Sequence, residues 1–167
     1  MRSPSVAVSC LVAVACLLPA ALWAYPSGAP VGVCNSELPK HGGAEPQATQ
    51  SPYAIQATPT SINQGGRVTV QVYGSTPFKG VILTARDVHT SQLLQGTFTP
   101  DAQTKTLDCP GGSANAITHN SRDEKTQVVV TWTAPAGYTG QVYFSATVVQ
   151  SSYVFWKGIT SDAVFVQ

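Results

Sequence analysis

The chain has 167 residues, 43% hydrophobic and only 10% charged, with nine basic and eight acidic side chains. That length suits one ordinary domain with a core of its own. The near-zero charge argues against nucleic acid, which needs clustered Lys and Arg, and against a polybasic membrane-surface mechanism.

Arg2 opens the chain, and an uncharged, mostly apolar run follows from Val6 to about Leu22. Small residues (Ala20, Ala21, Ala24) then precede an abrupt change to Tyr25-Pro26-Ser27-Gly28-Ala29-Pro30. This is the pattern of a secretory signal peptide over residues 1–24, cut after Ala24. Leu22, three positions before the cut, is an acceptable but imperfect residue there, which leaves the site free to move by a residue or two. The alternative is an uncleaved membrane anchor, for which the run sits near the lower limit of about 20 apolar residues. The leader reading predicts an extracellular, soluble product of about 143 residues (25–167) with eight charges of each sign. The apolar C-terminal stretch, Ala163-Val164-Phe165-Val166, is too short for a membrane span or a lipid-anchor signal.

Cys10 and Cys16 leave with the leader, so Cys34 and Cys109 remain. Two cysteines in an oxidising compartment allow one intramolecular bridge. The expected disulfide is Cys34–Cys109, closing a loop of roughly 75 residues and stabilising by on the order of 4 kcal/mol. Two free thiols or an intermolecular bridge are the alternatives. No Asn-x-Ser/Thr sequon occurs, so Asn-linked glycans are not expected.

Residues 25–54 form a proline-studded lead-in (Pro26, Pro30, Pro39, Pro46, Pro52). Proline removes backbone donors and disfavours long helix or central strand. Cys34 favours a strap held to the body over a free linker. After Pro59 the apolar pattern takes period two. Residues 67–73 place Val68, Val70 and Val72 on one face. A second strand covers 79–87, with Val81, Leu83 and Ala85 opposing Ile82, Thr84 and Arg86. A third covers 92–98, and 114–119 reads as a short edge strand. Residues 127–133 align Val128, Val130 and Trp132, and 141–150 align Val142, Phe144, Ala146 and Val148. Runs at 153–156 and 163–166 close the sequence. No stretch holds a 3.6-residue apolar period over several turns. The fold class is therefore all-β, a single antiparallel two-sheet sandwich; a closed barrel is the competing architecture.

Chemistry is poorly signalled. His41, His89 and His119 lack metal-ligand spacing. His41 and Glu45 are four apart, but Gly42 and Gly43 between them are poor helix formers. No Gly-x-Ser-x-Gly elbow and no phosphate-binding glycine loop occurs. The eight acids read as solvated rather than as a catalytic pair. The chain is expected to have no catalytic residues, no metal and no cofactor, and not to be an enzyme. Arg122-Asp123-Glu124-Lys125 reads as a self-cancelling solvated turn, and Arg86-Asp87 as a strand-end ion pair. Tyr138, Tyr143, Tyr153, Phe155 and Trp156 are candidates for a binding surface, whereas Trp132 and Phe144 fall on the regular apolar face and belong to the core.

A longer set of residues carries a family likeness. Tyr25-Pro26-Ser27-Gly28-Ala29-Pro30, Cys34, Pro39-Lys40-His41-Gly42 and Pro52-Tyr53 are followed by Phe78-Lys79-Gly80-Val81-Ile82-Leu83-Thr84-Ala85-Arg86-Asp87. Cys109, Thr118-His119, Val130-Thr131-Trp132, Pro135, Gly140-Gln141-Val142-Tyr143-Phe144, Thr147-Val148-Val149-Gln150 and Phe155-Trp156 complete the set. The chain resembles the reeler (reelin-like) domain, most of all its stand-alone insect defence protein, or noduler-like, branch. The resemblance implies an immunoglobulin-like sandwich, with the first cysteine bonded back to the body. It also implies a secreted innate-immune protein that binds microbial surface components such as lipopolysaccharide or β-glucan. It brings no catalytic or ligand-contacting residues. Other reeler proteins add a haem-binding region and a membrane cytochrome (ferric-chelate reductase relatives), or matrix modules. An extracellular matrix or adhesion module without an immune role is the alternative function.

Overall fold

The computed structural model describes residues 25–39 and 43–167; the predicted leader and His41 lie outside the described residues. A single 3-10 turn at Val31–Val33 precedes eleven strands. These are β1 (Tyr53–Thr58), β2 (Ser61–Ile62), β3 (Arg67–Phe78), β4 (Gly80–Asp87), β5 (Thr97–Thr99) and β6 (Thr104–Leu107), then β7 (Ala116–His119), β8 (Lys125–Thr133), β9 (Gly140–Ser151), β10 (Val154–Thr160) and β11 (Val164–Val166). They form a four-stranded sheet in the order β1-β3-β8-β5 and a seven-stranded sheet in the order β2-β11-β9-β4-β7-β6, with β10 also paired to β9.

Period-two patterning builds the sandwich. Val68, Val70 and Val72 of β3 and Val128, Val130 and Trp132 of β8 turn inward from the smaller sheet. Val81, Leu83 and Ala85 of β4, with Val142, Phe144, Ala146 and Val148 of β9, turn inward from the larger one. Each fully buried side chain of this size contributes roughly 1.5–3 kcal/mol. Trp132 meets Phe144 edge-on at 5.5 Å between ring centroids, and Phe98 meets the same ring at 6.3 Å. At the far end Tyr53 joins Phe78 at 5.6 Å and Trp156 at 5.5 Å.

The departures from the sequence reading have physical causes. β1 begins inside the stretch read as lead-in; Pro52 stands directly before it and masks the Tyr53, Ile55, Ala57 alternation. β2 and β6 are short and carry few apolar residues, so no periodicity announces them. The strand expected over 92–98 contracts to Thr97–Thr99, because Leu93 makes only an isolated bridge to Arg86. The predicted edge strand at 114–119 is interior: β7 lies between β4 and β6. β11 pairs with β2 in parallel, while the other strand pairs of the described residues are antiparallel.

The turn at 122–125 is also corrected. Lys125 is only 3% exposed. Its ammonium donates to the backbone carbonyls of Asp123 (2.7 Å), Ser121 (2.8 Å) and Lys79 (3.4 Å). Burial lowers its pKa. The charge therefore ties the β7–β8 loop to the start of β4, and is not cancelled by its acidic neighbours in solvent.

Candidate functional site

The larger sheet has a second face, and it is covered. From Gly80 to Ala85 every residue of β4 is buried, although alternate side chains point away from the sandwich core. The cover is the lead-in. Cys34 is bonded to Cys109 with 5.8 Å between their Cα atoms, and both pack on Ala116 of β7. Gly28 lies flat on the sheet at φ 118°, where a Cβ would come within 2.8 Å of the His119 carbonyl. Ala29 N–H donates to Thr118 Oγ1 at 2.8 Å. Further on, Gln47 N–H donates to the Phe155 carbonyl at 2.9 Å, and Trp156 Nε1–H to the Thr49 carbonyl at 3.2 Å.

A buried ion pair fastens the middle of the strap. Glu37, whose side chain is 4% exposed, meets Arg86 Nη2 at 3.0 Å. Its Oε1 also accepts from Thr84 Oγ1 at 2.6 Å, and its Oε2 from Ser145 Oγ at 2.8 Å. The guanidinium spends its remaining donors on the carbonyls of Cys34 (3.1 Å), Asn35 (3.4 Å) and Ser91 (3.1 Å). Both carboxylate oxygens and all three guanidinium nitrogens have partners, the condition under which such a pair is tolerated in a dry place.

Arg86 therefore does not pair with Asp87, as the local reading had it. Asp87 instead accepts from the Tyr138 hydroxyl at 2.7 Å and from the backbone N–H of Thr90 (2.8 Å) and His89 (2.9 Å). The Tyr138 bond and these N–H groups hold its carboxyl at about 2, below the ordinary 3.8. Burial, and then Asp87 itself, pushes the Tyr138 hydroxyl up. Because the folded carboxyl is the stronger acid, its stabilisation is complete above about pH 4 and fades as pH falls towards about 2. Asp87→Asn should flatten this part of the curve of Tm against pH; an acid limb identical to wild type would remove Asp87 from it.

Between the strap and the sheet, beyond Glu37, runs a cleft of about 410 Å³. Its floor is Gly80, Val81 and Ile82 of β4 with Thr147 and Val149 of β9; its walls include Pro26, Pro30, Val33 and Pro39; Lys79, Arg122, Ser151 and Ser152 stand at the open end. His119 forms part of one side. Its Nδ1 accepts the Val81 N–H at 3.2 Å, and its Nε2 lies 3.1 Å from the Tyr25 carbonyl. Those partners assign the neutral Nε2–H tautomer, and burial lowers its pKa. His89 is exposed, so the described histidines are separate. Among the described residues no group of three or more His, Cys, Asp or Glu is placed to hold a metal ion.

The aromatic candidates scatter. Phe155 is fully buried, Trp156 packs on the core, Tyr138 serves Asp87, and Tyr153 is 57% exposed. Tyr143 is half-buried. Trp132 and Phe144 are core, as the period requires. Tyr73 is exposed on the outer face of the smaller sheet. There Thr58, Thr69, Thr131 and Thr99 form one row across β1, β3, β8 and β5. Gln56, Gln71 and Val129 form the next, and Ala54, Tyr73 and Gln127 the third. Gln71 donates to Gln127 at 2.7 Å. None of these side chains is charged.

Comparison with known proteins decides the family. A family model described as the Reeler domain matches residues 32–167. The chain belongs to the reeler domain family. A defense protein of Drosophila melanogaster is 36% identical over 156 residues, covering 91% of this chain and 95% of the relative. A Drosophila melanogaster protein named as a homolog of ferric-chelate reductase 1 is 33% identical over 163 residues, covering 90% of this chain but only 25% of that protein. This reeler domain thus spans about a quarter of that relative. The human F-spondin reeler domain superposes with a TM-score of 0.59 at 20% identity, over 74% of this chain and 95% of that one. The reeler fold is an immunoglobulin-like sandwich, as the resemblance implied. Among the described residues no helix is long and apolar enough to cross a membrane.

Proposed function

We propose that this reeler domain is an exported, non-catalytic recognition protein of the defence response that binds microbial surface polymers such as lipopolysaccharide or β-glucan. The observation that carries the reading is the nearly end-to-end match with an insect defense protein, 95% of whose length this chain covers. Export is supported by the leader pattern and by the Cys34–Cys109 bridge, since disulfides persist in oxidising compartments. Binding without chemistry is supported by the open sheet face. Its rows of Thr and Gln with Tyr73 offer hydroxyl, amide and aromatic contacts to the sugar units of such a polymer.

Incubation of the purified, disulfide-bonded protein with intact bacteria, immobilised lipopolysaccharide and β-glucan particles tests this. Saturable co-sedimentation with at least one of them is expected. Failure to bind all three overturns the reading, and salt-sensitive retention on heparin in that case assigns the chain to matrix adhesion.

A further inference from the structure

We propose that the cleft beneath the lead-in binds a medium-chain carboxylate carrying a hydrogen-bonding group, a terminal hydroxyl or carbonyl, at its far end. The site lies on the opposite layer from the open sheet face and does not rest on the defence reading.

The cleft volume of about 410 Å³ falls within the roughly 300–1,000 Å³ typical of small-molecule sites. Its lining is graded along the strands. Ile82 stands opposite Thr147, and Gly80 opposite Val149. From Thr147 to Ser151 the outward side of β9 extends about 13 Å, so the groove suits an elongated molecule.

The closed end supplies a hydrogen bond. Thr147 Oγ1 is buried and has no partner among the described residues. Its neighbours on the same face, Thr84 and Ser145, both donate to Glu37. Buried hydroxyls are nearly always satisfied, so the exception on the cleft floor points to an outside partner. Glu37 is already neutralised by Arg86 at 3.0 Å, and sets no bare negative charge against an acid.

The middle is apolar. Gly80 has no side chain, and a Cβ there would come 3.2 Å from Val149 Cβ and 3.3 Å from His119 Cε1. Pro30, Val33 and the neutral His119 ring complete this part, where a polymethylene stem loses water contact at no polar cost.

The open end is cationic. Arg122 and Lys79 stand at the mouth. The Lys79 side chain is 50% exposed and lies 3.8 Å from Glu124, itself 67% exposed. So loose a pair leaves the ammonium available for a carboxylate.

Isothermal titration of the disulfide-bonded protein with octanoate, decanoate and ω-hydroxydecanoate tests the assignment. One saturable site is expected, with decanoate about tenfold tighter than octanoate as two methylenes enter the groove. The ω-hydroxyl should tighten binding a further threefold or so. Thr147→Val, which keeps the side-chain shape, should erase that gain and leave decanoate unchanged. The double variant Lys79→Ala/Arg122→Ala should weaken every acid about fivefold. Thermal unfolding of each variant checks that it is folded. Absence of saturable binding, or a hydroxyl gain that survives Thr147→Val, overturns the proposal. Microbial co-sedimentation can succeed or fail independently.

Discussion

Replacing Cys34 and Cys109 together by serine is expected to lower the unfolding free energy by about 4 kcal/mol. The bond joins residues 75 apart in sequence, so its loss frees a long loop in the unfolded chain. It also unfastens the strap at its most buried point, since both sulfur-bearing residues are 1% exposed and pack on Ala116. Denaturant unfolding of wild type and double variant measures the difference. Limited proteolysis should cut the variant first within residues 25–52, where few strand contacts hold the chain. A loss below about 1 kcal/mol would mean that the unfolded chain is little constrained by the bridge, and would overturn the loop-entropy account.

Arg86→Met is expected to cost about 3–5 kcal/mol, the range for leaving a buried charge without its partner. Glu37 would keep Thr84 and Ser145, at 2.6 and 2.8 Å, but lose its counter-ion. The carbonyls of Cys34, Asn35 and Ser91 would lose their donors as well. Glu37→Met alone should cost a similar amount. The double variant Glu37→Met/Arg86→Met should be less damaged than the sum of the two, because a well-packed apolar pair needs no charge compensation. A double-mutant cycle in urea gives the coupling. Strict additivity would show that the two groups act separately.

Much of the sandwich is legible in the chain. The Val68, Val70, Val72 and Val142, Phe144, Ala146, Val148 alternations place the two inner faces without reference to any contact. The disulfide is expected from counting only on the leader reading, which removes Cys10 and Cys16 and places the remaining pair in oxidising conditions. The covered face is a different matter. Thr84, Arg86, Ser145 and Thr147 look like the polar, solvent-facing half of ordinary amphipathic strands. Only the lead-in, folded back across 49 residues of sequence to join Glu37 with Arg86, turns them into an interior. Period-two patterning reports which side of a strand meets its own core, and carries no information about a second layer arriving from elsewhere.

Composition and apolar period alone determined the all-β class and the inner core, because burial of alternate side chains is a local code. Tertiary structure decided which polar residues became buried, that Asp87 answers Tyr138 and not Arg86, and that a cleft exists under the strap. Those outcomes depend on pairings between groups far apart in sequence. Their energies come from a shared dry environment that no local pattern specifies.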